Sequence, residues 1–134
     1  MSTRSGAPAN VNPATQINQF GVAQVDGSTN LQICGGGSAA QTPVDLGANF
    51  PANTLTADIY EVCLYSTPGV NSEMYYRVER LNTGDVASGK VTGTAGTAIP
   101  ASTTLMTWTT FASNNATALA VGVDICSVYI ETDV

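Results

Sequence analysis

The sequence contains no histidine, few basic residues and no long apolar run. Without imidazole there is no histidine general base, no Ser-His-Asp triad and no histidine metal ligand. Four Lys and Arg stand against ten Asp and Glu, for a net charge of −6. That balance repels nucleic-acid backbones and anionic membranes, so neither is expected as a partner. Nothing approaches the roughly 18 consecutive apolar residues of a spanning helix. The opening MSTRSGAPANVNPATQ has no apolar segment of the kind a secretory signal needs, so folding in a reducing cytoplasm is the expectation. Charged residues of both signs make up only 10% of the chain, against about 25% in ordinary soluble domains. The solvent face must therefore be built largely from uncharged polar groups.

What is present fits that requirement. The 134 residues suffice for one domain, and a hydrophobic share of 43% supplies a core. Thr (18), Ala (17), Gly (13), Ser (10) and Asn (10) dominate, a palette of strands and loops rather than of helix surfaces. No segment sustains an apolar stripe at helical spacing.

Residues 1–16 show no periodicity, carry Arg4 as their one charge and include Pro8 and Pro13. They read as an extended arm with charge +1, ahead of a body that carries −7 over 26–134. Asp26-Gly27 between apolar flanks marks a hairpin over 21–33. Gly35-Gly36-Gly37-Ser38 reads as a loop, since no Lys-Ser/Thr follows to make it a phosphate loop. Pro43 to Leu46 suits a short edge strand. Residues 55–65 are apolar on both faces, which predicts a central or interface strand. Met74 to Leu81 alternates, with Met74, Tyr76 and Val78 on one face and Tyr75, Arg77 and Glu79 on the other. Residues 86–92 return as its hairpin partner, with Ser88-Gly89 as a candidate bulge. Further strands are predicted over 103–111 and 118–131.

The fold expected is all-β: an antiparallel, jelly-roll-like sandwich of about eight strands over 17–134, preceded by the 1–16 arm. An up-and-down barrel and an immunoglobulin-like sandwich are the alternatives. Val62, Leu64, Tyr76, Val78, Leu105, Trp108, Val123, Ile125 and Val128 are the predicted core.

Chemistry-bearing motifs are few. Cys34, Cys63 and Cys126 lack zinc-site or CxxC spacing and read as small hydrophobes, with a Cys63–Cys126 bridge left open. Glu61, Glu73 and Glu79 are the carboxylates from which a glycosidase-like pair would be drawn. Asp26 to Asn30 offers oxygen donors but no calcium-loop pattern, and reads better as the turn. Asn115-Ala116-Thr117 matches a glycosylation sequon. Arg77, Arg80 and Lys90 are expected to pair across strands with Glu79 and Asp85. No catalytic, metal or cofactor residue is assigned. Arg4, Pro8, Pro13, Tyr75 and Trp108 are the candidate partner-binding residues, the two aromatics through stacking.

Long strands with little charge on their edges need covering, and self-association covers them. The Thr/Ala/Gly/Asn-rich run MYYRVERLNTGDVASGKVTGTAGTAIPASTTLMTWTTF, the acidic body, the missing histidine and the Pro/Asn-rich arm resemble the structural proteins of tailed-bacteriophage virions. That resemblance implies a capsid decoration (cement) protein, made in the host cytoplasm and resident in the virion. It would be a trimer that binds the major capsid protein or another virion protein through strand faces and the arm. The alternatives are a receptor-binding or adaptor domain of a tail fibre and a small carbohydrate-active enzyme.

Overall fold

Alternating strands with one apolar face must pair and stack, and this chain does so in two antiparallel sheets. The computed structural model describes residues 1–7, 10–52, 54, 57–112 and 122–131. Its strands are β1 (Ser2–Arg4), β2 (Gln19–Gln24), β3 (Leu31–Gly36), β4 (Val44–Asp45), β5 (Tyr60–Tyr65), β6 (Glu73–Arg80), β7 (Asp85–Thr92) and β8 (Thr107–Thr109). One sheet has the order β4-β3-β2-β1-β8, the other β5-β6-β7. The all-β, two-sheet sandwich is as expected from the sequence.

The Asp26-Gly27 turn joins β2 to β3, with Val22 opposite Ile33, and Gly27 takes the positive φ (76°) that a turn there requires. β4 is the short edge strand expected after Pro43. In β6, Tyr76 and Val78 are buried, and β7 pairs with it without interruption from Arg80↔Asp85 to Glu73↔Thr92. The core lies between the sheets. Phe20, Val22 and Ile33 from one side meet Tyr76 and Val78 from the other, with Phe50 from the β4–β5 connection.

Several expectations are corrected. The first residues of the arm are not irregular: β1 pairs with both β2 and β8, because Gly21 lets Met1 and Ser2 approach where any Cβ would collide. Pro13–Thr15 forms a 3-10 turn, capped by Asn12 accepting from the Ala14 amide at 3.0 Å. Gly35 and Gly36 lie inside β3 rather than in a loop. A Cβ on Gly35 would sit 3.1 Å from the Phe20 ring, so the glycine makes room for the largest fully buried side chain. Gly89 is no bulge: it pairs regularly with Tyr76, whose phenol covers it.

β5 is shorter than the 55–65 expectation and lies at a sheet edge rather than at its centre. Leu55 and Thr56 fall outside the described residues. The strand expected over 103–111 is only three residues long, leaving Leu105 90% exposed. Residues 122–131 enter no strand, and Val123, Ile125 and Val128 are exposed rather than core. These positions have β-forming side chains, but the described fold offers them no partner strand. Residues 118–121 and the 115–117 sequon lie outside the described residues.

Core and exposed apolar positions should separate cleanly on truncation. Phe20→Ala, at a fully buried site, is expected to cost about 3–5 kcal/mol. Leu105→Ala should stay within about 0.5 kcal/mol of the parent. Chemical denaturation of the two variants checks this, and equal losses would contradict the core placement.

Candidate interaction surface

Pairing β5, β6 and β7 sends alternate side chains to opposite faces. Tyr60, Val62, Leu64, Met74, Tyr76, Val78, Ala87 and Val91 pack on the core. The other parity forms an outward face. Its cross-strand rows are Glu61–Glu79–Val86, Cys63–Arg77–Ser88 and Tyr65–Tyr75–Lys90, with Glu73 beside Thr92.

Tyr65 and Tyr75 stack at a ring separation of 5.2 Å, 12° from parallel. The Lys90 ammonium stands 5.9 Å from the Tyr75 ring centre and pairs with Glu73 at 2.5 Å. The Tyr75 hydroxyl also donates to Glu73. Lys90 first, then Tyr75, lowers the Glu73 carboxyl, and the same hydrogen bond raises the Tyr75 phenol. The result is a stacked aromatic pair with a carboxylate and an ammonium locked against one ring. Half of Tyr65 remains open to solvent (50%).

Arg77 bridges the neighbouring row, 2.5 Å from Glu79 and 3.6 Å from Glu61. Glu61 and Glu79 are therefore brought together across the strands, but around a guanidinium. Glu73 belongs to the tyrosine cluster at the other end of β6. Arg80 turns to Asp58, 2.6 Å away, whose carboxylate also accepts from Asn82 at 2.7 Å. The expected Arg77–Glu79 pair is present, whereas Asp85 is held by Asn49 (3.0 Å) and Thr83 (2.6 Å).

The candidate partner-binding residues disperse. Arg4 sits within β1, only 9% exposed, between Gln19 and Thr107, with its Nε unpartnered. It lines a cavity of about 60 Å³ with Gln19 and Cys34. It therefore does not reach outward, because its strand is internal to the sheet. Pro13 is half-buried and its carbonyl accepts from the Gln19 side-chain amide at 2.8 Å. Pro8 lies outside the described residues. Trp108 pairs with Thr3 on the edge strand β8 and is half-buried, away from Tyr75 on the other sheet. Tyr75 alone of these is on the outward face described above.

The sequence reading missed Tyr65 and Asp58. Tyr65 was reachable: a hairpin around Pro68-Gly69 that keeps Val62 opposite Val78 puts Tyr65 beside Tyr75. Asp58 meets Arg80 only through the return of β6, so no local signal marks it.

The three thiols are unpaired. Cys34 is buried, and burial pushes its thiol up to about 11. Cys63 is in a strand as expected but is exposed; Cys126 is exposed and outside any strand. Both differ from the expectation of buried hydrophobes, Cys63 because it points from the outward face of β5. Among the described residues, no three Cys, Asp or Glu gather as a metal site.

Comparison with known proteins returns no matching family model, no matching curated protein and no matching solved structure.

Asp58 sets an acid-side prediction. The Arg80 hydrogen bond, followed by that of Thr54, lowers its carboxyl from 3.8 to about 2, with Asn82 adding to the same shift. A depressed folded value stabilises the fold above the unfolded value and loses that contribution as pH falls through the folded one. Between pH 3.8 and about 2, the melting temperature of Asp58→Asn should therefore fall less steeply than that of the parent. Parallel melting curves across that window would remove the pair from the stability of the fold.

Proposed function

We propose that the chain is a virion structural protein of the capsid-decoration type, binding the outer capsid surface and stabilising it through self-association. The observation that carries this reading is the apolar surface the fold leaves uncovered. Val123, Ile125, Val128, Tyr129 and Ile130 are between 46% and 83% exposed in a segment without strand partners. Among the described residues, β5 presents an open sheet edge that carries one charged residue, Glu61. A chain with so few charges gains most from burying such surface against other chains. The carboxylates from which a catalytic pair would be drawn are engaged with Arg77 and Lys90, which supports binding over acid–base chemistry.

The mechanism is linkage. A domain that seats across adjacent capsid subunits, and only on the assembled shell, stabilises the shell by mass action. Trimeric self-association is the proposed form. With β1 inside the sheet, the contact point the arm offers is Val11, which is 52% exposed. Deleting residues 1–16 would remove a strand that joins β2 to β8, so a point change is the better probe.

A second reading has one observation in its favour. The Tyr65–Tyr75 stack on an open face suits a tail-fibre domain that recognises a host glycan, since aromatic faces pack against sugar rings.

The test is to add the purified chain to phage capsids that lack it. Co-sedimentation and a raised capsid melting temperature are expected, with about 2.7 kcal/mol of linkage at a free concentration of about a hundred times Kd. Val11→Asp should weaken binding while leaving the chain's own melting temperature unchanged. A chain that stays monomeric and never sediments with capsids contradicts the proposal. Loss of host-cell binding in Tyr65→Ala, with capsid binding absent, would favour the tail-fibre reading.

A further inference from the structure

We infer that the segment Gly122–Glu131 of one copy adds as a strand to the open β5 edge of a neighbouring copy. This deepens the self-association part of the reading above and rests on it. Two unsatisfied features of the same chain fit each other. Among the described residues, β5 (Tyr60–Tyr65) has β6 on one side and no strand on the other, leaving one edge of the ladder open. Residues 122–131 are β-branched and aromatic in composition, contain no proline, and enter no ladder with the described residues. Strand addition to an exposed edge satisfies both sets of backbone groups at once.

The register follows from the faces. Tyr60, Val62 and Leu64 of β5 are half-buried and point to the core side, so the added strand must present apolar side chains there. Antiparallel pairing with Val62 opposite Val128 places Ile130 beside Tyr60 and Cys126 beside Leu64, an unbroken apolar row. Tyr129, Ser127 and Ile125 then fall on the outward face, beside Glu61, Cys63 and Tyr65. A slip of one residue would bring Ser127 to the core side and send Val128 and Ile130 out, which disfavours it.

The groove between these elements argues that the occupant comes from another copy. β5 and residues 122–131 border one open groove of about 2370 Å³. Both line the same open space, together with residues of β1, β2 and β8, and the segment makes no ladder with the β5 of its own chain. A neighbour's segment entering this groove covers β5, and donation from each copy to the next closes into a ring without free β5 edges.

The test uses full-length chains whose exposed thiols report the register. One variant, Cys126→Ser, keeps Cys63. The second, Cys63→Ser with Cys126→Ser and Ser127→Cys, carries its thiol opposite the first variant's Cys63. After co-expression and joint purification, a short bismaleimide should give covalent heterodimer in the mixture and none in either variant alone. In the parent chain, maleimide labelling of Cys126 should slow as protein concentration rises, while Cys63 on the outward face stays reactive. Cys126 labelling that is independent of concentration overturns the inference. So does a bridge confined to one chain when Cys126→Ser and Ser127→Cys are combined with the native Cys63. Capsid co-sedimentation is scored on the same samples. A chain that binds capsids but pairs only within itself overturns strand donation and keeps the decoration reading. Exchange between copies without capsid binding does the reverse.

Discussion

The meeting of Phe20, Val22 and Ile33 with Tyr76 and Val78 joins the two sheets, and the position of every other element follows from it. Phe20 is the demanding member. It is fully buried, and its ring lies against the backbone of β3, which is why glycine stands at position 35. On the other sheet, Tyr76 reaches across its neighbour β7, where Gly89 leaves the ring room. A large side chain paired with a missing one thus recurs on both sides of the core. The interior is filled by a few aromatic and branched groups rather than by many leucines, as a Thr- and Gly-rich composition demands.

Once the core face of β6 is fixed, the outward face follows by parity. Tyr75, Arg77 and Glu79 turn outward because Tyr76 and Val78 turn inward. The ion pairs there are partly exposed, so solvent screens them and they organise the surface more than they stabilise it. Their effect is to occupy Arg77 and Lys90 with carboxylates, while Arg80, off this face, is held by the enclosed Asp58. Arg4, the remaining cation, is buried in the other sheet. The outward face therefore offers stacked phenols beside paired charges, Arg77 and Lys90 set against Glu61, Glu73 and Glu79.

The parts of this fold legible in the sequence are those where local chemistry and tertiary packing agree. Asp26-Gly27 marks a turn by backbone preference and the flanking strands pair around it. The 74–92 hairpin shows a period of two because one face is buried and the other wet. Illegible parts are those where the same local signal leads to different outcomes. Gly35 and Gly36 look like a loop by composition, yet lie in a strand because Phe20 and the Ala39–Ala40 backbone crowd them. Arg4 looks like part of a solvated tail, yet is enclosed because Gly21 admits β1 to the sheet. Residues 123–130 look like a core strand, since β-branched composition reports readiness to pair without naming the partner. Glu61, Glu73 and Glu79 could be picked as carboxylates, but their separation into two cation-bound groups depends on strand register, which a single residue's shift would change.

The edges of the two sheets are protected unequally. β4 is two residues long and follows proline, which blunts that edge. β8 is three residues long. β7 carries Asp85 and Lys90, charges of the kind that discourage edge-to-edge pairing. β5 has neither shortness nor proline, and its one charge, Glu61, is drawn toward Arg77 on the sheet face. An edge of this kind in a chain with 10% charged residues invites uncontrolled pairing unless a defined strand occupies it. The exposed 122–131 segment has the length and the β-branched composition to be that strand. On the proposed reading, the scarcity of charge that leaves the edge open is also what lets a neighbour's segment close it, and the self-association of the domain becomes its protection against aggregation.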